Sequence, residues 1–302
     1  MRPTTSPARI FLAFVLVLVL AMLLAALLSP WVQSLLAPLQ VFPLHRVFSR
    51  LTMLGVIGLV TWLLVRQQLA QREVLGFNRP WPQFLRRLLT GMLGGLALMT
   101  LALVPLFLLG VRVWSERLPA DFAGFLPLVL KGMGSGLLVA LIEETFFRGA
   151  MQGALLRQGA LRTALFAVPL LYSAVHFLGR AASVPYDEVN AWSGFVALRG
   201  FFASFAQPLR IIDAFVALYF VGLLLALVRQ RWGDIAGCIG LHAGFVAVIA
   251  VFRKISTPAA EGSWSFLVGS FDGLLGLWIA ALTATVCIVV AKDGAWRSHS
   301  MT

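Results

Sequence analysis

Leu141-Ile-Glu-Glu-Thr-Phe-Phe-Arg-Gly149 is the stretch on which the reading of this chain turns. Two adjacent glutamates and an arginine stand inside an otherwise apolar run. Their setting makes them unusual. The chain has 302 residues, 60% hydrophobic and only 12% charged. A soluble domain is about 45–50% apolar and about 25% charged. That balance excludes a soluble enzyme, and two cysteines among so many apolar residues exclude disorder and a disulfide scaffold. What is left is an all-α polytopic membrane bundle, treated as a single membrane domain over 1–302. A carboxylate in the bilayer costs about 2.5–3.5 kcal/mol on insertion scales, so each acid inside a span needs a reason. The chain has twelve acids in all.

Apolar runs of span length occur at 10–28, 51–65, 88–109, from about 125 through the glutamate pair, 161–178, 209–228, 235–252 and 266–291. About eight transmembrane helices are therefore expected. The first run follows Arg2 and Arg9, but it is longer than a signal-peptide core and lacks a cleavage pattern, so it reads as a retained span. The net charge of +12 reads as topology rather than nucleic-acid binding. With the N-terminus inside, fourteen basic residues fall in inner segments, including Arg2, Arg72, Arg86, Arg157, Arg162, Arg231, Lys292 and Arg297. Nine fall outside, including Arg46, Arg112, Arg117, Arg180, Arg253 and Lys254, and Lys131 stays within the fourth span. Both termini are then cytoplasmic, and the Arg-rich, Lys-poor composition suits a bacterial inner membrane.

The long connection 179–208 carries Trp192, Phe195, Phe201, Phe202 and Phe205, which suggests an interfacial or re-entrant segment. Gly91, Gly94 and Gly95, with Gly132 and Gly136, read as close helix packing. Cys238 and Cys287 read as apolar packing residues.

Adjacent helical residues point about 100° apart, so the two glutamates cannot serve one point equally. Glu144 faces Arg148 at i,i+4 and can be neutralised by it. Glu143 has no such neighbour in sequence and is the functional candidate. Of the four histidines, His45 lies in a loop and His299 in the tail, while His176 and His242 fall in apolar spans. A turn centred between Gly159 and Ala160 puts Glu143 16.5 residues before it and His176 16.5 after it. An antiparallel hairpin of equal rise would bring the two to one height. Glu143, His176 and His242 could hold a divalent metal such as zinc. Alternatively, without a cofactor, Glu143 acts as base on a water that His176 orients, and His242 stabilises the oxyanion. Both routes lead to hydrolysis by an activated water.

At these residues the chain resembles the CPBP family of CAAX proteases and bacteriocin-processing enzymes, also called Abi proteins. Glu143, Glu144 and Arg148 match its EExxxR motif. Tyr172 and His176 match FxxxH, with Tyr in place of Phe, and His242 matches the third motif. Position 246, where that motif has Asn or a small residue, is Val246. Val74-Leu-Gly-Phe-Asn-Arg-Pro80 also looks like the family. The resemblance covers about 74–250, with the core extending to 291, and leaves the two N-terminal spans within 1–66 without a signature. It implies an intramembrane endopeptidase with Glu143 as the water-activating base, His176 beside it and His242 at the oxyanion site. It also implies a peptide or protein substrate, lipidated for the prenyl-processing members, reached from the lipid bilayer. Two other readings stand beside it. One is a non-catalytic membrane protein of the same fold with an immunity or scaffold role, favoured by Val246 and Tyr172. The other is a proton-coupled transporter using Glu143, Asp213 and Asp272.

Overall fold

The computed structural model describes residues 6–36, 42–116, 118–119, 121–179, 181–259 and 264–293. His299, Arg2, Arg117, Arg180 and Arg297 lie outside the described residues. The described part is helical, with one two-stranded ribbon. Six helices are long and apolar enough to cross a membrane. They are α1 (Pro7–Leu36), α2 (Leu44–Arg66), α4 (Trp81–Leu108), the continuous Phe122–Arg157 rod that begins as α5 (Phe122–Glu144), α9 (Ile212–Trp232) and α10 (Ala236–Ile255). The expected fifth and eighth spans are the shorter α7 (Leu161–Val175) and α11 (Leu277–Asp293). The rod ends as α6 (Gln152–Arg157), a short α3 (Arg72–Leu75) precedes α4, and α8 (Ser193–Phe201) lies in the long connection.

Several boundaries differ from the sequence reading, among them α2, which starts at Leu44 rather than 51, and two have a plain physical reason. Helix α1 runs through Pro30, because a proline inside a long apolar helix need not end it. The last span starts at Leu277, not at 266. Gly269, Gly273 and Gly276 fold the preceding stretch into turns, with Gly273 at φ +67°. Asp272 fixes those turns, its Oδ1 accepting from the amides of Leu274 and Leu275 at 2.9 and 2.8 Å.

The chain divides into two compact units. The first comprises Met1–Ala70 and Ala174–Ile211. In it α1 and α2 meet where Gly55 faces Ala21, and α8 lies on α1 where Gly194 leaves no room for a Cβ beside the Ala26 carbonyl. Ala25, Ala26, Phe48, Ala181 and Ala197 form its core, with the rings of Phe48 and Phe201 edge to face at 5.0 Å. The aromatic connection is thus half embedded: Phe195 and Phe201 pack inward while Trp192 and Phe202 stay exposed.

The second unit comprises Gln71–Ser173 and Ile212–Thr302. Helix α10 is its axis. Gly91 and Gly95 of α4 meet the backbone of α10 at Gly237 and Leu241, and Gly240 and Gly244 meet α4 in return. Gly132 and Gly136 of α5 approach the carbonyls of Ala247 and Ala243. Gly94 differs, with only the Leu241 side chain nearby at 3.9 Å. At one end Asp234, fully buried, pairs with Arg79 and Arg87 and caps the start of α10 by accepting from Ala236 N at 3.1 Å. At the other end β1 (Arg112–Trp114) pairs antiparallel with β2 (Ser256–Pro258). Arg112 there donates to Ser256 and to the Gly273 carbonyl. Burial lowers its guanidinium from the ordinary arginine value, and the nearby Asp272 counters that shift. Cys238 and Cys287 are free and buried.

Candidate functional site

Helix α5 starts on Asp121, whose side chain accepts from Gly124 N at 2.9 Å. It carries the glutamate pair at its last two residues. There the winding changes: Thr145–Met151 form a π-helical segment before α6 resumes. Such wide turns are rare and concentrate at functional sites. The equal-rise hairpin assumed from the sequence therefore does not hold along this rod.

The π segment places Arg148 under Glu144. Arg148 Nη1 donates to Glu144 Oε1 at 3.1 Å, and both side chains are fully buried. Arg148 Nη2 donates to the Gly222 carbonyl at 2.9 Å, and its guanidinium lies over the Tyr172 ring at 4.4 Å. One turn on, Gln152 Nε2 donates to the Ala226 carbonyl at 2.9 Å. Glycine is required at 222, because a Cβ would stand 2.9 Å from the Tyr172 ring.

His242 joins the two glutamates. Its Nδ1 lies 2.8 Å from Glu144 Oε1, and its Nε2 lies 4.0 Å from Glu143 Oε2. A carboxylate ion-paired to Arg148 only accepts, so Nδ1 carries the proton of that bond. The two glutamates differ in access. Glu144 is 0% exposed at its side chain, whereas Glu143 is 29% exposed. The Tyr172 ring stands edge-on to His242 at 6.1 Å between centroids. Glu143, Glu144, Arg148, Tyr172 and His242 therefore converge within the second unit. His176 stands in the turn just beyond Val175, half-buried, and belongs to the first unit. Val246 is half-buried one turn after His242.

Sequence reasoning gave Glu144 one partner, Arg148, and missed its bond to His242. It also missed Gln152, Gly222 and Arg229 around the cluster. Gln152 was discoverable, since it continues the i,i+4 row from Glu144 through Arg148. Arg229 counts in the sequence as one of the fourteen inner cations, yet it is buried, its guanidinium donating to the carbonyls of Arg148 and Val74. Among the described residues no group of three His, Cys, Asp or Glu side chains is arranged to hold a metal ion. The transporter reading loses its geometry. Asp272 pairs with Arg253, eleven residues along α10 from His242. That is about 16 Å at helical rise. Asp213 accepts from Ser270 N at 3.0 Å beside the same end.

Residues 125–248 match the family model described as Rce1-like, Type II CAAX prenyl endopeptidase Rce1-like. This is the CPBP/CAAX protease family that the three motifs resemble, and the matched stretch holds every one of them. No curated protein and no solved structure matches the chain.

Proposed function

We propose that this integral membrane protein is an intramembrane endopeptidase of CAAX-protease type that uses Glu143 to activate water. The observation that carries the proposal is the unequal fate of the glutamate pair. Glu144 is enclosed and occupied by Arg148 and His242, whereas the Glu143 side chain stays partly exposed, with its Oε2 4.0 Å from the other nitrogen of the same imidazole. Glu143 takes a proton from a water, oriented with the help of His176, and the hydroxide adds to the scissile carbonyl. His242 stabilises the oxyanion as the imidazolium, in which Nδ1–H stays with Glu144 and Nε2–H donates to the oxyanion. Collapse breaks the C–N bond, and the proton held by Glu143 passes to the leaving amine. The substrate is a peptide or protein presented from the bilayer, with a lipidated segment suited to a site among apolar helices. We place the protein in a bacterial inner membrane.

The test is cleavage of a reconstituted peptide substrate by the purified protein. Glu143→Gln is expected to lower kcat by about 10²–10⁴-fold, the range for loss of a general base, with the fold intact. His242→Ala and His176→Ala are expected to lose activity as well. Undiminished turnover by the glutamine variant ends the proposal. A metal-dependent version, with Glu143, His176 and His242 as ligands of a divalent ion such as zinc, predicts loss on chelation and recovery on re-addition. Resistance to chelators supports the cofactor-free route.

One observation favours a second reading, a non-catalytic protein with this fold and an immunity or scaffold role. Val246 offers no side-chain donor one turn beyond His242. If catalysis is only weakened by this, Val246→Asn should raise kcat, by up to about 100-fold for a well-placed oxyanion donor. A phenotype unchanged by Glu143→Gln would favour the second reading.

A further inference from the structure

The π segment does more than widen a helix. In an α-helix the Gln152 amide would serve the Arg148 carbonyl. Here it reaches Phe147 O and Gly149 O instead. The Arg148 carbonyl accepts from Arg229 Nε at 3.2 Å. Arg229 Nη2 donates to the Val74 carbonyl at 3.1 Å. The stretch around Val74 is pressed onto the same segment. A Cβ at Gly153 would overlap the Val74 carbonyl, and one at Gly149 would stand 3.0 Å from the Leu75 carbonyl. Gly76, at φ +79°, turns the chain around the guanidinium, whose Cζ would lie 3.1 Å from a Cβ there. The Gly76 carbonyl then accepts from Ile235 N at 3.2 Å, just before α10. All these residues lie in the second unit.

We propose that Arg229 is a positioning residue: it holds the carbonyl skipped by the π turn, and so holds the Glu144–Arg148 pair in place against His242. The inference rests on the peptidase reading for its catalytic consequence. A guanidinium suits the task because its planar fork bridges two carbonyls at fixed spacing, which a lysine ammonium does not reproduce. Without it, the buried Arg148 carbonyl loses its side-chain partner, and an α register that pairs it with Gln152 N becomes favourable. That register keeps Arg148 at i,i+4 from Glu144 but turns the helix before the segment relative to the helix after it, which shifts the pair relative to the Gly222 carbonyl and His242.

The experiment uses the full chain in lipid nanodiscs with Arg229→Gln and Arg229→Lys. Three quantities are read: the unfolding midpoint, kcat and KM on the cleaved peptide, and the ¹⁵N resonances of labelled histidines, with His242 assigned by His242→Gln. The expected result for Arg229→Gln is a fall in kcat of about 100-fold, the scale of a 1 Å misplacement, with KM nearly unchanged. The His242 Nδ1 resonance should move toward that of an imidazole without a carboxylate partner. Arg229→Lys, which keeps one donor, should recover part of both. A lowered midpoint with wild-type kcat and an unmoved His242 resonance overturns the proposal and leaves Arg229 a strut. If Arg229→Gln does not fold, the lysine variant decides by the same readouts. If the wild type cleaves no peptide, the peptidase reading fails separately and the resonance alone decides the positioning role.

Discussion

Glu143 and Glu144 are chemically identical neighbours, and burial sets them apart. Glu144 is enclosed with Arg148, whose remaining contacts are a carbonyl and two aromatic faces. Removing one partner of a buried ion pair costs about 3–5 kcal/mol, because the other charge stays desolvated. Glu144→Gln should therefore lower thermal stability by a large margin, with the midpoint falling well below that of the wild type. Glu143→Gln should stay within about 0.5 kcal/mol, as for a partly exposed polar change. Differential scanning of the two purified variants checks this, and equal losses would contradict it. Tyr172 gives a second case at this scale. Its ring supports the guanidinium at 4.4 Å, a desolvated cation–π contact of about 2 kcal/mol. Tyr172→Leu should lower stability by that order. The division of labour between the glutamates was legible in the sequence, since an i,i+4 arginine serves only one of them. The His242 bond was not. It joins residues 98 positions apart, and no local pattern sets the rotation of α10 about its axis.

At the scale of elements, α10 is the mount for His242, and its glycines do the fitting. In the sequence Gly91, Gly94 and Gly95 all read as packing positions. The helices separate them, because only one face of α4 meets α10. A Cβ at Gly95 would overlap the Leu241 carbonyl, next to His242. Gly95→Ala should thus cost about 1–3 kcal/mol, the scale of overpacking, and lower activity by moving α10. Gly134→Ala, on the same rod as the glutamates but with nothing within 4 Å, should be neutral or slightly stabilising. Unfolding midpoints of the two variants test the contrast. The π segment was invisible in the sequence for a related reason. Arg148 is an i,i+4 partner of Glu144 in either winding, and what selects the wide turn is Arg229, supplied by a different helix. Apolar content alone extends α11 back to 266, but three glycines within eight residues and the turn-forming Asp272 hold that stretch in turns.

For the molecule as a whole, charge decides the direction of insertion. The chain-wide bias of fourteen inner to nine outer basic residues is modest. Within the second unit it sharpens, because the structure gathers helix ends. The end bearing Asp234 and the Arg229 bridge also carries Arg72, Arg79, Arg86, Arg87, Arg157, Arg162, Arg231 and Lys292. The end bearing the β1–β2 ribbon carries Arg112, Arg253 and Lys254, with the acids Asp213 and Asp272 beside them. Each cation near an anionic leaflet is worth about 1 kcal/mol, so the first end should face the cytoplasm. Sidedness is measurable with one added cysteine at a time. Arg72 and Val113 are exposed at opposite ends, and the native Cys238 and Cys287 are buried, which keeps background labelling low. In right-side-out vesicles an impermeant maleimide should label the Val113→Cys protein and spare the Arg72→Cys protein, and inverted vesicles should reverse the pattern. The opposite result would turn the unit over and place the glutamate pair, which lies toward the basic end of its rod, nearer the outer leaflet. A peptidase site near the cytoplasmic side receives segments delivered from inside the cell, so the same labelling pattern also fixes from which compartment a substrate can reach Glu143.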